Sequence, residues 1–189
     1  ILFAGTATSC TGDLFPEKST VEFGAKFNIS YHGSYKILIN NQVSPTKKYV
    51  LVQRGCQAPT GVAADLTVEV PLTNAVSIST NILRWVEIIG ERSTVFGSNG
   101  VFTTSPCLNK RVASGQTLDY SLVSYNSATK QYTTKDGDAL DGALDAFNRK
   151  FDAVITDPWS IQTGQEPNAI VVSSDFETSW QANSEWGKF

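Results

Sequence analysis

The sequence predicts an α/β protein, a three-layer sandwich with a mostly parallel sheet, preceded by an antiparallel β meander. Three observations support this fold class. Aromatic and β-branched residues alternate with polar ones over residues 20–54, as in half-buried strands. Short apolar runs then alternate with segments of helical periodicity over residues 66–178. Two late runs, residues 151–156 and 169–173, are compact and apolar, as in strands buried on both faces of a parallel sheet.

The meander is assigned to residues 20–65. Its strands are predicted at residues 20–30, 35–39 and 48–53. The segments between them are rich in Gly, Asn, Ser and Pro, which favour turns. Residues 1–19 are predicted to be an N-terminal extension.

The α/β lobe is assigned to residues 66–178. Its strands are predicted at residues 75–79, 94–96, 151–156 and 169–173. A helix is predicted between Thr80, as its N-cap, and Gly90, which ends it. Further helices are predicted over residues 106–113, with Pro at the favoured first position, and over residues 138–150.

Composition and charge narrow the classes of partner. The net charge is -3 and the sequence pI is about 5.1, so the chain has no general electrostatic attraction for nucleic acid or anionic membranes. The apolar runs are shorter than the roughly 20 residues that span a bilayer. The chain contains no Met and begins at Ile1. We therefore expect a processed product of a secreted precursor, located outside the cell or at its surface.

The cysteines predict one disulfide. Three cysteines and a single histidine leave no ligand set for a structural zinc, so no metal is predicted. In an exported protein, three cysteines predict one disulfide and one remaining thiol. We expect Cys56 to pair with Cys107, because Cys56 follows a strand and Cys107 opens a helix, and Cys10 to be free or bonded elsewhere. Asn28 begins the only N-x-S/T sequon and is a candidate glycosylation site on a secretory route.

Several segments follow the order of similar segments in a known two-lobed family, namely residues 70–71, 75–80, 88–90, 151–155 and 183–189. They resemble the substrate-binding proteins of the cobalamin and iron-siderophore importers, whose lobes are joined by one long helix. Residues 27–32 and 49–55 resemble the eukaryotic branch of that family, which includes the cobalamin acquisition proteins of algae. Ser179-Trp180 departs from the Pro-Leu that the family usually has before the interlobe helix, and Gly187 departs from its Ile.

The resemblance implies that the chain is the N-terminal, Rossmann-like lobe of a secreted solute-binding protein and not an enzyme, so no catalytic residue is assigned. It implies capture of a large chelate such as cobalamin or a ferric siderophore, as a bound ligand and not as a resident cofactor. Residues 179–189 would begin the interlobe helix, and the second lobe of the same precursor would be absent from this chain. A membrane transporter or an assembly partner would receive the cargo.

The candidate ligand contacts lie in the loops that follow the strands. Ligands of open α/β sheets bind outside the carboxyl ends of the strands, and the resemblance implies the same loops. The candidates are Thr80, Asn81, Ser98, Asn99, Phe102, Asp157, Trp159 and Glu177. Trp159 either offers a flat indole face to a chelate or closes the end of the sheet. The plain alternative for Thr80 and Asn81 is helix capping, and for residues 97–100 it is a turn.

Two other classes of function remain open. The fold could be a structural or interaction subunit of an extracellular or organellar assembly. In that case Tyr120, Tyr125 and Tyr132, which lie in a predicted hairpin or decorated loop at residues 116–135, would be buried in a protein contact. A hydrolase would need a nucleophile next to His32. The chain has no G-x-S-x-G, no H-E-x-x-H and no phosphate-binding loop motif.

Overall fold

The computed structural model describes residues 10–135, 151–159 and 168–188. The chain divides into a first unit, Ile1–Pro71 with Glu177–Phe189, and a second unit, Leu72–Phe176. The helix predicted over residues 138–150 lies outside the described residues. Within the described part of the chain, no helix has the length and apolar character needed to cross a bilayer.

The first unit is built on a four-stranded sheet with the strand order β1-β2-β3-β4. Its strands are β1 (Phe27–His32), β2 (Tyr35–Asn40), β3 (Lys47–Gln53) and β4 (Leu66–Val70). The first three pair antiparallel, which confirms the predicted meander. β4 pairs parallel with β3. Whereas the sequence assigned β4 to the α/β lobe, it completes the first sheet, because the loop at residues 54–65 is long enough to return the chain for parallel pairing.

β3 is the centre of this sheet and is buried on both faces. Successive side chains of a strand point to opposite faces. Val50 and Val52 pack with Ile37 in one cluster, while Tyr49 and Leu51 point the other way, and all five side chains are buried. Such burial is typical of an inner strand that packs on both sides.

A disulfide joins Cys10 to Cys56, with 5.7 Å between the two Cα atoms. The predicted pairing of Cys56 with Cys107 is therefore wrong, and Cys107 is an exposed free thiol in the second unit. The N-terminal segment lies beside the β1–β2 turn, since the Leu14 N–H donates to the Gly33 carbonyl at 3.0 Å. That path brings Cys10 to the turn after β3, a neighbourhood that cysteine spacing does not reveal.

The segment predicted to begin an interlobe helix forms a short helix, α3 (Trp180–Glu185), followed by the 3-10 turn Trp186–Lys188. Ser179 is its N-cap, and the Ser179 hydroxyl accepts a hydrogen bond from the backbone N–H three residues on. Trp186 is buried, and its ring centroid lies 4.3 Å from that of Phe27. The segment therefore packs on the first residue of β1.

Two carboxylates, that of Glu185 in this segment and that of Glu177 just before it, bind five successive backbone N–H groups, at residues 22–26. The buried Glu185 carboxylate accepts from residues 22, 23 and 24 at 2.9, 2.9 and 2.6 Å. The Glu177 carboxylate accepts from residues 25 and 26 at 3.1 and 3.0 Å, and from Trp186 Nε1 at 3.1 Å. We call this arrangement the carboxylate clamp.

The clamp keeps Glu185 ionised in spite of its burial. Burial alone would raise the pKa of Glu185, but hydrogen bonds from Glu22 N–H, from the Lys188 ammonium and from Gly24 and Phe23 N–H outweigh it. Together they lower the pKa from the ordinary 4.5 to about 2. The ammonium of Lys188 lies 2.9 Å from Glu185 Oε1 and also donates to the Thr20 carbonyl at 2.9 Å.

The second unit is built on a five-stranded parallel sheet with the order β7-β6-β5-β10-β11. Its strands are β5 (Ala75–Ser77), β6 (Val95–Ser98), β7 (Leu118–Asp119), β10 (Ala153–Thr156) and β11 (Ala169–Val171). β8 (Val123–Asn126) and β9 (Gln131–Thr134) form an antiparallel hairpin, one of the two alternatives predicted there. The predicted parallel sheet is thereby confirmed.

Helices and hairpin pack on opposite faces of the parallel sheet. On one face, Val95 of β6 packs with residues of α1 (Thr80–Ile88) and α2 (Pro106–Ala113). On the other, Phe96 packs with a cluster that contains Tyr120 and Tyr132. Adjacent residues of a strand point to opposite faces, which separates the two clusters. Among the described residues, helices therefore cover one face and the hairpin packs on the other.

The observed N-termini of α1 and α2 can be compared with the predicted ones. α2 has the predicted bounds, with Pro106 at its first position and the Ser105 hydroxyl accepting from the Leu108 N–H at 3.3 Å. α1 differs from the prediction, because its N-cap is Ser79 and Thr80 is its first helical residue. The Ser79 side chain makes no capping hydrogen bond.

Substitution of Glu185 by Gln tests the clamp. We expect the free energy of unfolding to fall by about 2 kcal/mol at pH 7, because a charged hydrogen-bond acceptor of several donors is lost. The pKa of Glu185 is lower in the folded than in the unfolded chain. Its contribution to stability is therefore complete above about pH 4.5 and is lost as the pH falls towards 2. Urea unfolding at several pH values would measure both effects.

Glu17→Gln is the matched control, since it makes the same charge change at an exposed side chain of the same unit. Equal unfolding midpoints for the two variants at pH 7 would contradict the role of the clamp.

The disulfide pairing predicts the thiol chemistry of the native protein. Without reductant, a thiol reagent should label one cysteine per chain, Cys107, and reduction should expose the other two. Cys107→Ser should abolish native labelling and leave the unfolding midpoint unchanged. Peptide mapping that finds the native label on Cys10 would show that the pairing is wrong.

Candidate functional site

The parallel sheet has a topological switch point between β5 and β10. The chain adds β6 and β7 on one side of β5 and then crosses to place β10 and β11 on the other. The loops that follow the carboxyl ends of β5 and β10 diverge at such a point and leave a crevice, where ligands of open α/β sheets bind. The candidate site is therefore expected at this edge of the second unit.

Side chains that follow three of the parallel strands, β5, β10 and β11, meet in one cluster. The Asn81 amide, in the first turn of α1 after β5, donates from Nδ2 to Asp175 Oδ2 at 2.5 Å. Asp175 and Phe176 are neighbours in the 3-10 turn after β11. The Phe176 ring stacks on Trp159, from the loop after β10, with centroids 4.7 Å apart and an interplanar angle of 18°. We call these four residues the switch-point cluster.

Trp159 is the exposed part of the cluster. It is 63% exposed although one ring face stacks on Phe176, so the opposite face is open to solvent. Asp157 orients the loop, because its Oδ1 accepts from the Trp159 N–H at 3.0 Å. A large aromatic residue held this way by its own loop offers a preorganised flat surface.

The loop after β6 is held by Asp119 at the end of β7. The Asp119 carboxylate accepts from Gly100 N–H at 3.0 Å and from Ser121 N–H at 2.9 Å. A side chain at Gly100 would collide with this carboxylate, so the close approach requires glycine. The loop presents Val101 and Phe102, which are 71% and 67% exposed.

Three buried polar atoms at this edge lack a hydrogen-bond partner among the described residues. They are Ser79 Oγ, Ser98 Oγ and Asn99 Oδ1. Ser79 follows β5 and caps α1, Ser98 ends β6, and Asn99 begins the loop after β6. Buried polar groups are nearly always paired, and an unpaired one costs about 1–3 kcal/mol. Such a concentration at one edge of a sheet is typical of a functional site.

The structure unites some of the predicted residues and separates others. Asn81 and Trp159 belong to the switch-point cluster, with Asp157 supporting it. Ser98, Asn99 and Phe102 lie on the loop after β6, at the same edge of the sheet. Thr80 is the first helical residue of α1. Glu177, predicted as a ligand contact, belongs to the first unit, where both its oxygens accept hydrogen bonds in the carboxylate clamp.

The sequence placed Asp175 and Phe176 in a candidate loop after the last strand, but neither was among the predicted ligand contacts, and Ser79 was missed. The order Ser173-Ser174-Asp175-Phe176 after an apolar strand was a signal for a loop at the carboxyl edge. It did not reveal that Asp175 would meet an amide from another loop. Ser79 was missed because Thr80 is an equally good capping residue by type.

The described residues offer no metal centre. Among them, no group of three or more His, Cys, Asp or Glu side chains is placed to hold a metal ion. The described loops at the carboxyl edge carry two aspartates, Asp157 and Asp175, and no Lys, Arg or His. The electrostatic character of this edge is therefore acidic.

The hydrolase alternative required a nucleophile next to His32, and Ser30 Oγ lies 3.0 Å from His32 Nε2. The two residues are close because they lie two positions apart on β1, on the same face of the strand. The imidazole stacks on Tyr35 at 5.0 Å. A serine–histidine pair acts as a nucleophile and base when a third group orients the ring. No described carboxylate bonds to His32.

We expect no covalent labelling of Ser30 by a serine-directed fluorophosphonate, because the pair is exposed and its imidazole is not oriented by an acid. Intact-mass measurement after incubation would detect the adduct. Labelling of the wild type that disappears in His32→Ala would restore the hydrolase alternative.

No protein-family model, curated protein or solved structure matches this chain. What the candidate site does therefore has to follow from its own residues and geometry.

Proposed function

We propose that the second unit is the ligand-binding lobe of a secreted solute-binding protein, which captures a large chelate such as cobalamin or a ferric siderophore without covalent chemistry. The observation that carries the proposal is the open indole face of Trp159, backed by Phe176 at the switch point of a parallel sheet. A second lobe of the same precursor would close over the ligand, and a membrane transporter would receive it.

Stacking supports a flat ligand in preference to a small polar one. A tryptophan face buries a large apolar area at little cost in side-chain entropy. The stack on Phe176 fixes the indole orientation before a ligand arrives, which lowers the entropy that binding would otherwise cost. The exposed Phe102, on a neighbouring loop of the same edge, adds a further apolar surface.

The strand order supports a Rossmann-like lobe, since a first strand in the middle with strands added on both sides is the doubly wound pattern. Crossovers between parallel strands are right-handed, so a crossover on the far side of the switch point lies on the opposite face of the sheet from α1 and α2. The three-layer sandwich that the sequence predicts, with a helical layer on that face, is part of the proposal.

Secretion is supported by the Cys10–Cys56 disulfide, because disulfides persist in oxidising compartments. Asn28 is exposed on β1, an edge strand of the first sheet, where a glycan could be attached. Glycosylation of Asn28 therefore remains part of the proposal.

A structural or interaction subunit is the second candidate. It is favoured by exposed apolar residues of the second unit, namely Val101, Phe102, Ile88 and Ile89. Its expectation that the tyrosines lie in a protein contact is not supported for Tyr120 and Tyr132, which are buried in the core of the second unit itself. Tyr125 packs against the same core.

Isothermal titration of the longest available precursor with cyanocobalamin and with a ferric trihydroxamate would test ligand capture. We expect binding of one of the two, and a loss of about tenfold or more in affinity for Trp159→Ala, because the stacking surface is removed. Trp180→Ala is the matched control, since Trp180 is also exposed, at 77%, and lies in the first unit. Absence of heat with both ligands would reject the proposed function.

A further inference from the structure

The polar half of the switch-point cluster presents acceptors. Asn81 uses its amide N–H group to bind Asp175 Oδ2, and the Ser173 hydroxyl lies 3.4 Å from the same oxygen. Neither Asn81 Oδ1 nor Asp175 Oδ1 has a hydrogen-bond partner among the described residues, and both residues are exposed. An ionised carboxylate can only accept hydrogen bonds. A ligand that contacts this pair must therefore supply N–H or O–H donors.

The charge of the site also disfavours an anionic ligand. The described loops of the carboxyl edge carry Asp157 and Asp175, Asp119 ends β7 at the same edge, and none of these described segments contains Lys, Arg or His. The nearest basic residue in the sequence of α1, Arg84, lies over the ring of Trp85, with its guanidinium carbon 5.0 Å from the centroid. A ligand that carries negative charge would approach two carboxylates and no partnering cation.

The amino end of α1 does not reverse this preference. A helix N-terminus carries a partial positive charge that attracts anions. Asn81 is the second residue of α1, and its bond to Asp175 places that carboxylate beside the first turn. Asp175 thus supplies the anion that the N-terminus of α1 favours, and little attraction is left for an anionic ligand.

We infer that the switch-point cluster selects flat ligands that are neutral or cationic and that carry N–H or O–H donors beside the ring face, and that it rejects anionic chelates. The ring would stack on the open face of Trp159, and the donors would bind Asp175 and Asn81. This inference rests on the proposed function and names the class of ligand that the site takes.

Three probes separate the possibilities on the wild-type precursor. They are cyanocobalamin, which is neutral and carries primary amides, a neutral ferric trihydroxamate that carries peptide N–H groups, and a trianionic ferric tricatecholate. We expect one of the two neutral probes to bind at least about a hundredfold more tightly than the tricatecholate. Repulsion between like charges and the lack of donors for the acceptors of the cluster both weaken binding of the anion. Quenching of the intrinsic tryptophan fluorescence and calorimetry would both measure the affinities.

Asp175→Asn tests the residue that sets the preference. Asp175 is exposed, so the isosteric amide should fold normally, with only a small fall in the unfolding midpoint from the charge lost beside α1. Affinity for the neutral probe should fall about tenfold, because an amide N–H group then faces the ligand donor, and affinity for the tricatecholate should rise. Glu91→Gln is the matched control, since it removes the same charge from an exposed side chain of the same unit.

The outcomes distinguish this inference from the proposed function. Failure of all three probes to bind the wild type would reject the proposed function and the inference with it. Binding of the tricatecholate as tightly as the neutral probes would overturn the inference and leave ligand capture intact. Equal affinities for Asp175→Asn and Glu91→Gln would also overturn it, because the preference would then not come from Asp175.

Discussion

The parallel pairing of β5 with β10 is the constraint on which the candidate site depends. Ala75 faces Ala153 and Val76 faces Val154 in this pairing, and the two small alanines are buried where the strands begin. The Ile155 carbonyl then accepts from the backbone N–H of Ile78 at 2.8 Å. This bond carries the pairing past the end of β5. The first turn of α1 and the loop after β10 therefore start from neighbouring points at one edge of the sheet.

Because β5 and β10 pair, short loops after the strands are enough to bring the residues of the switch-point cluster together. The next strand outward, β11, lies parallel to β10 and ends at the same edge, so the turn that carries Asp175 and Phe176 can reach both neighbouring loops. Phe176 reaches Trp159 by stacking and Asp175 reaches Asn81 by a hydrogen bond. No single loop forms the site. It exists because three strand ends are brought side by side.

In the first unit, contacts between segments distant in the sequence supply hydrogen-bond acceptors to a stretch of backbone that belongs to no sheet. Residues 22–26 precede β1 and pair with no strand, yet their N–H groups need acceptors when they are covered by protein. The carboxylate clamp supplies these acceptors from a segment more than a hundred residues away in the sequence. The clamp also explains why Glu185 remains charged, since its donors stabilise the ionised form more than burial destabilises it.

Local signals in the sequence predicted the elements better than the contacts between them. The bounds of α2 followed from Ser105, Pro106 and Gly115, which act within one helix. The strands of the meander followed from alternation, which is also local, although the first strand begins at Phe27 and not at residue 20 as predicted. The place of β4 and the partner of Cys56 could not be predicted this way, because each depends on which distant segments pack together.

The candidate site shows the same limit. Asn81 and Trp159 could be found because ligand sites follow strand ends in open α/β sheets. The pairing of Asn81 with Asp175 depends on the order of strands in the sheet, which places the end of β11 within reach of α1. That order is a property of the folded chain. The role of Glu177 in the clamp could not be predicted either, because it depends on residues 25 and 26, which are distant in the sequence.

Asp119 contrasts with three buried polar atoms at the same edge of the sheet that have no hydrogen-bond partner among the described residues. Asp119 satisfies the backbone of two loops, so the fold is able to pair polar groups here. Ser98 faces Asp119 in the register of β6 and β7, yet its buried hydroxyl has no hydrogen-bond partner among the described residues. Alanine at Ser98 or Ser79 would remove that cost, which selection for stability alone would favour. Among the described residues, nothing in the packing of the fold accounts for serine at these two positions.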